Sequence, residues 1–578
     1  MTRAASKSTA TTEARASISL EVLLYGLVVL LAVWLRFAKL DMYPLTDREA
    51  EHALAAIGQV ENPSESPVHR AFTSLAFTFS GESDAAARWA PALAGVLLVL
   101  TPLILRSQIG RGAAFLSALL LAISPVLWTA SRTADGTTLA ALGITAALFF
   151  LVSGRVEWAG AFLGLALVSG PAALTGLVTI GVGAGVFALF QRRRRRSDSA
   201  ATLVSPIPKT LAWRRGLVAG GVIALLAATG AGFFPDSLQG IFEGLGVWVK
   251  GWFQGSGIPA ITLLLVLLAY EPLVFAAGSA GVIDRLRNGS SLLTFFASWS
   301  IGAVVVLFLY QGRQPADIVW LVLPLTVLAA VVIGILLNRI FQPENIWLAL
   351  GFTGAIVALM AFAYLQLRAG VSGPESLQSF VGLPTHFAAA GMGIALAALA
   401  LILLAVGWSR DVAIPIAGAA AILILLGVSI SAGAALNFGD PSARELYRPQ
   451  ASTLGLNDLR ESLRTLSRAE TGRSDALPIE TSDRPSPALA WTTRNYPAHE
   501  GPENPAIILV REGAPLPGEY LGQSVTIGES WGWDGGLPPN LLSWLVIRES
   551  PTVSDRWVLL VRKDVAGVEE LVPVESES

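Results

Sequence analysis

Leu20-Glu21-Val22-Leu23-Leu24-Tyr25-Gly26-Leu27-Val28-Val29-Leu30-Leu31-Ala32-Val33-Trp34-Leu35 is followed, after Arg36-Phe37-Ala38, by Lys39-Leu40-Asp41-Met42-Tyr43-Pro44-Leu45-Thr46-Asp47-Arg48-Glu49-Ala50-Glu51-His52. The apolar run, with its flanking residues, reaches the roughly 20 residues that a helix needs to cross a bilayer's hydrocarbon at about 1.5 Å per residue. No small-x-small cleavage site closes it, so it reads as a retained first span rather than a signal peptide. The loop beyond it sets carboxylates, a guanidinium and an imidazole at the mouth of a very apolar protein. Ionisable groups at a membrane boundary are costly to desolvate unless paired or held in a wet cleft, which marks this loop as a candidate site.

Working outward, similar runs recur over most of the chain. Of its 578 residues 53% are hydrophobic and only 14% charged, far from the balance of a soluble protein. The runs are helical spans, because a membrane barrel would show shorter alternating segments. They fall at about Ala85 to Leu105, Gly112 to Thr129, Thr138 to Val152, and two within Trp158 to Phe190, broken at Ser169-Gly170-Pro171. The rest lie at Leu217 to Phe233, Ile261 to Ile283, Leu292 to Tyr310, Ile318 to Leu337, Ile346 to Leu365, Phe387 to Val406 and Val412 to Leu436, about 13 with the first. There is no cysteine, which excludes disulfides and thiolate metal sites. His52, His69, His386 and His499 lie too far apart in sequence for a histidine-built zinc motif.

Lys and Arg accumulate in short cytoplasmic loops. With the N-terminus inside, those loops hold Arg106 and Arg111, Arg155, the Arg192 to Arg215 segment, Arg285 and Arg287, Arg339, and Arg410. The five arginines Arg192 to Arg196 read as a topology signal or an anionic-lipid contact, not a nucleic-acid site. The Asp47 loop, the Ser131 to Asp135 turn, the Gln311 to Ala316 turn and everything after about Asn437 then fall outside. The expected fold is a polytopic all-α membrane domain over 18–436, after a disordered cytoplasmic tail at 1–17. A small α/β extracytoplasmic domain follows at 437–578, where short runs such as Ala506 to Arg511 and Trp557 to Val561 alternate with Gly and Pro turns. Trp491, Trp531, Trp533, Trp544 and Trp557 supply its core. Its expected place is the outer face of a plasma membrane.

Three short motifs carry a family resemblance. Trp34-Leu35-Arg36-Phe37, leading through Leu40 and Pro44 into Asp47-Arg48-Glu49-Ala50, resembles the opening of the GT-C superfamily of membrane glycosyltransferases. Its nearest branch is family 39, the protein O-mannosyltransferases and the lipid A aminoarabinose transferase. Ala122-Ile123-Ser124-Pro125 with Ser131-Arg132 and Asp135 is similar to the second outer loop of those enzymes, and Ala87-Arg88-Trp89-Ala90-Pro91 to their Arg-x-x-Pro approach to the second span. The likeness covers residues 20 to 340 in layout. It implies an active site at the outer surface, a polyprenyl-phosphate-linked sugar donor, and a first-loop carboxylate that activates the acceptor, which is a glycan, lipid or protein. Where the family has Asp and Glu adjacent, Arg48 here separates Asp47 from Glu49.

Sugar transfer from a lipid phosphate needs a base for the acceptor proton and positive charge for the departing phosphate. Asp47 or Glu49 can supply the first. Arg132, Arg70, Arg88 and Arg313 are candidates for the second, although Arg132 and Arg313 also suit snorkelling at the membrane surface. Asp135 can orient Arg132, cap the next helix, or share a divalent metal with Asp47, and these readings stay open. Glu271, beside Pro272 inside an apolar run, marks a local helix break. Trp531-Gly532-Trp533-Asp534-Gly535-Gly536 faintly resembles the tryptophan-aspartate motif of oligosaccharyltransferases. The competing expectation is a non-catalytic relative that binds lipid-linked sugar or assists surface-glycan assembly; a transporter is disfavoured, since the two halves show no repeat.

Overall fold

Helix α1 (Leu20–Phe37) carries its apolar side chains all round, and most of them face outward, as a lipid-bathed span requires. It belongs to a computed structural model that describes residues 20–59, 65–197, 210–288, 291–340, 346–372, 379–380, 383–442, 444–482, 484–499, 504–513, 518–533 and 536–566. The expected tail at 1–17, the polar stretch at 198–209, and Asp534-Gly535 lie outside the described residues.

Short helices α2 (Asp47–Ala56), α3 (Pro67–Ser80) and α4 (Asp84–Ala87) follow, and α5 (Trp89–Leu100) then continues through a 3-10 turn into α6 (Arg106–Ile109). Next come α7 (Arg111–Ile123), α8 (Pro125–Ala130), α9 (Thr137–Val152), α10 (Val156–Leu167), α11 (Pro171–Ser197), α12 (Thr210–Thr229) and α13 (Gln239–Lys250). The last membrane helices are α14 (Ala260–Tyr270), α15 (Pro272–Asn288), α16 (Ser291–Leu309), α17 (Val319–Ile340), α18 (Ile346–Ser372), α19 (Thr385–Gly407) and α20 (Arg410–Phe438). A two-residue hairpin, β1 (Ser379–Phe380) with β2 (Leu383–Pro384), lies before α19.

Among the described residues, eight helices are long and apolar enough to span, and the pair α14 and α15 makes a ninth if counted as one span bent by 105°. Helices α7, α9 and α10 are apolar but shorter. Together with α12 they give every expected run a helix. The most buried is α17, the pillar of the bundle, whereas α18 and α19 stay largely open to lipid.

Two features explain the packing. Gly160 and Gly164 on α10 meet Gly216 and Gly220 on α12 so closely that a Cβ at Gly160 would lie 1.9 Å from the Gly216 carbonyl oxygen, and one at Gly164 2.1 Å from that of Gly220. Paired Gly-x-x-x-Gly faces of this kind let helix backbones touch in lipid. The second is the break at Glu271. Pro272 brings no N–H to continue the helix, and the Glu271 carboxylate instead accepts the Val126 N–H at 3.1 Å and the Ser124 hydroxyl at the start of α8. The buried Glu271 is thus a splice between two helix breaks.

Charge sorts to the two ends of the bundle. Glu21 near the start of α1 pairs with Arg106 at 3.2 Å and Arg111 at 3.8 Å, about 27 Å along the helix from its other end. At that other end lies the C-terminal domain. Its sheet runs in the order β3 (Gln450–Ser452), β6 (Tyr520–Trp531), β7 (Thr552–Arg562), β5 (Ile507–Arg511), β4 (Ile479–Thr481), antiparallel except for β4 with β5. Helices α21 (Gly455–Thr471), α22 (Pro487–Thr493) and α23 (Leu541–Ile547) complete it.

This domain does not keep its core to itself. Leu459, Leu489, Trp491 and Trp557 form one apolar cluster with Leu45, Ala50 and Leu54 around α2, Phe77 of α3 and Ala87 of α4. Trp544, expected in that core, instead packs into the membrane-helix core with Tyr270 and Tyr447, donating its indole N–H to the Arg444 carbonyl at 2.8 Å. The interface is also polar: buried Asp84 takes the indole N–H of Trp491 at 2.7 Å and the Arg460 guanidinium at 3.2 Å.

Candidate functional site

A Thr46 N-cap starts α2, with its hydroxyl accepting from the Glu49 N–H and the Glu49 carboxylate returning to Thr46. This is a capping box, with Thr46 and Glu49 at its two ends. It turns Glu49 inward and leaves Asp47 and Arg48 on the exposed side. Glu49 there receives five hydrogen bonds: Arg88 Nε and Nη2 at 2.8 Å each, the Ala134 N–H at 2.8 Å, and the Thr46 N–H and hydroxyl at 3.0 and 3.1 Å. Burial alone pushes such a carboxyl up. The Arg88 charge and these donors overcome it and hold Glu49 at about 2.

Arg88 is committed in the same way. Its five N–H donors go to Glu49 twice and to the carbonyls of Leu40, Tyr43 and Pro44 at 2.8 to 3.2 Å. Neither partner has capacity left for a substrate. The expectations of Glu49 as base and Arg88 as phosphate ligand give way to a buried clamp that pins the 40–46 loop, α2 and the loop before α9 together.

The clamp forms one wall of a cavity of about 170 Å³. Its other walls include Thr129, Ala130, Arg132 to Asp135, Gln314 to Ala316, and Tyr447 to Ser452. Four arginines line it: Arg48, Arg88, Arg132 and Arg448. Arg132 donates to the carbonyls of Leu35, Arg36, Ala38 and Lys39 at 2.7 to 3.3 Å, a cation closing the negative end of α1. Burial and the neighbouring Arg88 and Arg448 charges bring it down to about 10. Arg313 caps α16 likewise, through the carbonyls of Leu307 and Phe308, and does not line the cavity. Arg70, half-buried on α3, does not reach it either.

That leaves Arg48 and Arg448. Arg48 lies 3.5 Å from Glu65 in a solvent-exposed pair, which constrains it little. Arg448 stacks over the Tyr43 ring at 5.3 Å, and among the described residues its guanidinium makes no hydrogen bond. Burial lowers its pKa. Sequence reasoning passed over Arg448, although a lone arginine in Tyr447-Arg448-Pro449, just after the last span, was a signal that could have found it.

The carboxylates divide. Asp135 lines the cavity and accepts the Thr137 N–H, at the start of α9, at 2.8 Å. Burial raises its pKa in spite of the nearby Arg48 charge and the Thr137 hydrogen bonds. Asp47 does not join it. Its carboxylate accepts the Ala488 N–H at 3.0 Å and faces a second hollow beside the C-terminal sheet. A metal shared by Asp47 and Asp135 therefore lacks convergent ligands, and no group of three or more His, Asp or Glu suited to a metal occurs among the described residues. Behind α2, His52 and His69 pack ring to ring at 5.6 Å, and burial lowers both, His69 to about 4.

A family model for dolichyl-phosphate-mannose-protein mannosyltransferase matches residues 64–207. No curated protein matches the chain in sequence. Among solved structures, ArnT from Cupriavidus metallidurans bound to undecaprenyl phosphate superposes over 94% of this chain and 99% of its own, with TM-score 0.54 and 16% identity. The apo form of that ArnT covers 95% of this chain and 100% of its own, at TM-score 0.51 and 17% identity. An oligosaccharyltransferase of Archaeoglobus fulgidus aligns over 82% of this chain and 63% of its own at TM-score 0.40, with 14% identity, too loosely to bear on the site. The protein is thus a polytopic membrane protein with the fold of ArnT, and one stretch of it, residues 64–207, resembles the mannosyltransferase family.

Proposed function

We propose that the protein is a membrane glycosyltransferase that moves a sugar from a polyprenyl-phosphate-linked donor to an acceptor hydroxyl at the extracytoplasmic face of the plasma membrane. The N-terminus then lies in the cytoplasm. One observation carries the reading: at the rim of a GT-C bundle, the cavity holds two arginines that no backbone carbonyl engages, Arg48 and Arg448, and one carboxylate raised by burial, Asp135. In the related fold, ArnT holds undecaprenyl phosphate.

The chemistry assigns roles. Arg448 and Arg48 hold the donor phosphate as charge builds on it. An acceptor oxygen attacks the anomeric carbon, the bond from that carbon to the phosphate oxygen breaks, and the phosphate leaves with the electron pair. Asp135 takes the acceptor proton, a task suited to a carboxylate with a raised pKa. Asp47, on the far side of Thr46, serves the acceptor side.

A second reading, a non-catalytic binder of lipid-linked sugar, is favoured by Arg48 standing where the family's aspartate precedes the glutamate. Mass spectrometry of the surface glycan, with undecaprenyl phosphate binding measured in parallel, separates the two. Asp135→Asn is expected to lower transfer about 10²-fold or more while the lipid still binds. Unchanged transfer in Asp135→Asn, Asp47→Asn and the double variant, with binding kept, gives the protein to the binder reading.

A further inference from the structure

Trp544 leaves the C-terminal domain to pack among the membrane helices, and the segment that carries it is as apolar as a span. Between Asp534 and Arg548 the chain holds no charged residue. Leu537, Leu541, Leu542 and Leu545 are 39 to 49% exposed, and the last three share one face of α23, since helical positions i, i+1 and i+4 lie side by side. Among the described residues after 440, the other exposed large apolar side chains are Leu454, Leu521 and Val553, each in a different part of the domain. A cluster of exposed leucines, unlike single ones, marks an interaction surface.

The segment runs beside helices that meet lipid. At its start the Gly536 carbonyl accepts the Thr262 hydroxyl at 2.9 Å, in the first turn of α14. Further on, the Trp544 ring lies 6.4 Å from that of Tyr270. Tyr270 ends α14, about 15 Å along the helix from Ala260 at about 1.5 Å per residue. On the other side the Val546 carbonyl accepts the Tyr364 hydroxyl of α18 at 3.3 Å. Gln366 and Arg368 follow Tyr364, so this tyrosine stands at the aromatic rim where a span reaches the headgroups. Ile261 and Leu268 on α14 and Phe362 and Leu365 on α18 are exposed too, and the leucine face of α23 continues their surface.

The polar groups at both ends of α23 are turned away from that face. The Asn540 side chain accepts the Ser543 N–H at 3.1 Å, and the Arg548 N–H returns to the Trp544 carbonyl at 3.0 Å. The Arg548 guanidinium lies over the Trp544 ring at 4.4 Å and the Tyr270 ring at 5.1 Å, and 3.7 Å from the buried Glu445 carboxylate.

We infer that residues 536–547 are seated in the bilayer, with phospholipid acyl chains covering the leucine face of α23. The C-terminal domain is then held by lipid as well as by the bundle. Seven residues of helix are too short to cross, so the segment enters and leaves by one surface. Lipid is the occupant because α14 and α18, which flank α23, both turn apolar side chains outward where they meet it. The seat also bears on the cavity. Glu445, the partner of Arg548, accepts the Arg448 N–H at 2.9 Å through its own carbonyl, so the turn that presents Arg448 is tied to the lipid-seated helix.

The chain has no cysteine, which makes site-specific labelling clean. In the test, Leu542→Cys and Leu545→Cys in the full chain carry a nitroxide, and EPR power saturation in lipid nanodiscs compares oxygen, which concentrates in acyl chains, with a water-soluble nickel chelate. Oxygen is expected to relax both labels more than the chelate does, as at the lipid control Leu399→Cys on α19, with the order reversed at the water control Glu480→Cys on β4. The chelate leading at both positions means a water-facing helix and overturns the inference. Shielding of both labels from both reagents also overturns it, because a protein partner such as a second copy then covers the face. On the unaltered chain, phospholipid with a photoactivatable acyl chain is expected to cross-link within 536–547, and cross-links confined to the membrane helices count against the seat.

Discussion

Glu49 reads from the sequence as a base and from the structure as half of a clamp, and the two roles respond differently to one substitution. Glu49→Gln keeps the shape of the side chain and removes its charge, leaving Arg88 uncompensated at 5% exposure. Two estimates of the cost agree. A carboxyl held at about 2 against an ordinary 4.5 contributes roughly 3 kcal/mol, and breaking one partner of a buried pair costs about 3 to 5 kcal/mol. Because the folded pKa is the lower one, this stability is complete above about pH 4.5 and is lost as pH falls toward 2.

The clamp holds α2 and the 40–46 loop, so the loss is read locally, by amide hydrogen exchange over residues 40–56 in detergent or nanodiscs. Exchange there is expected to rise about 10²-fold in Glu49→Gln and similarly in Arg88→Met. The double variant should cost less than the two singles together, since it leaves no lone buried charge. If Glu49→Gln abolishes glycan transfer while exchange over 40–56 stays at the wild-type rate, the clamp assignment is refuted and Glu49 returns as a chemical group.

Arg448→Ala should weaken undecaprenyl phosphate binding by about ten-fold or more, and since the contact is ionic, added salt should narrow the gap between wild type and variant. Retained affinity would move the phosphate elsewhere. Gly164→Leu places a side chain where a Cβ already meets the Gly220 oxygen at 2.1 Å, so α10 and α12 must part. The outcome to look for is a chain lost from the membrane fraction or a steep fall in melting temperature, whereas an exposed control such as Gly181→Leu, with nothing within 4 Å of its Cβ position, should leave both unchanged.

The chain's linear pattern was enough to place a helix on every apolar run, because a bilayer has no water to satisfy a broken backbone and each crossing must announce itself as an apolar run. The same holds for the helix break at Glu271-Pro272. What the pattern could not assign was which charges are free. Arg88, Arg132 and Arg313 look alike as cations near loop ends, and only three-dimensional neighbours, the carbonyls of 40–44, 35–39 and 307–308, reveal that Arg88 has every donor taken and that Arg132 and Arg313 each cap a helix end. Asp47 and Asp135 lie at the same end of the bundle, yet a helix start turns one toward α22 and the other into the cavity. Arg448, separated from Tyr43 by some four hundred residues of chain, joins the site through the packing of the C-terminal domain on α2. Periodicity is a property of neighbours in sequence, whereas the hydrogen-bond capacity left to a side chain depends on groups that meet only after folding.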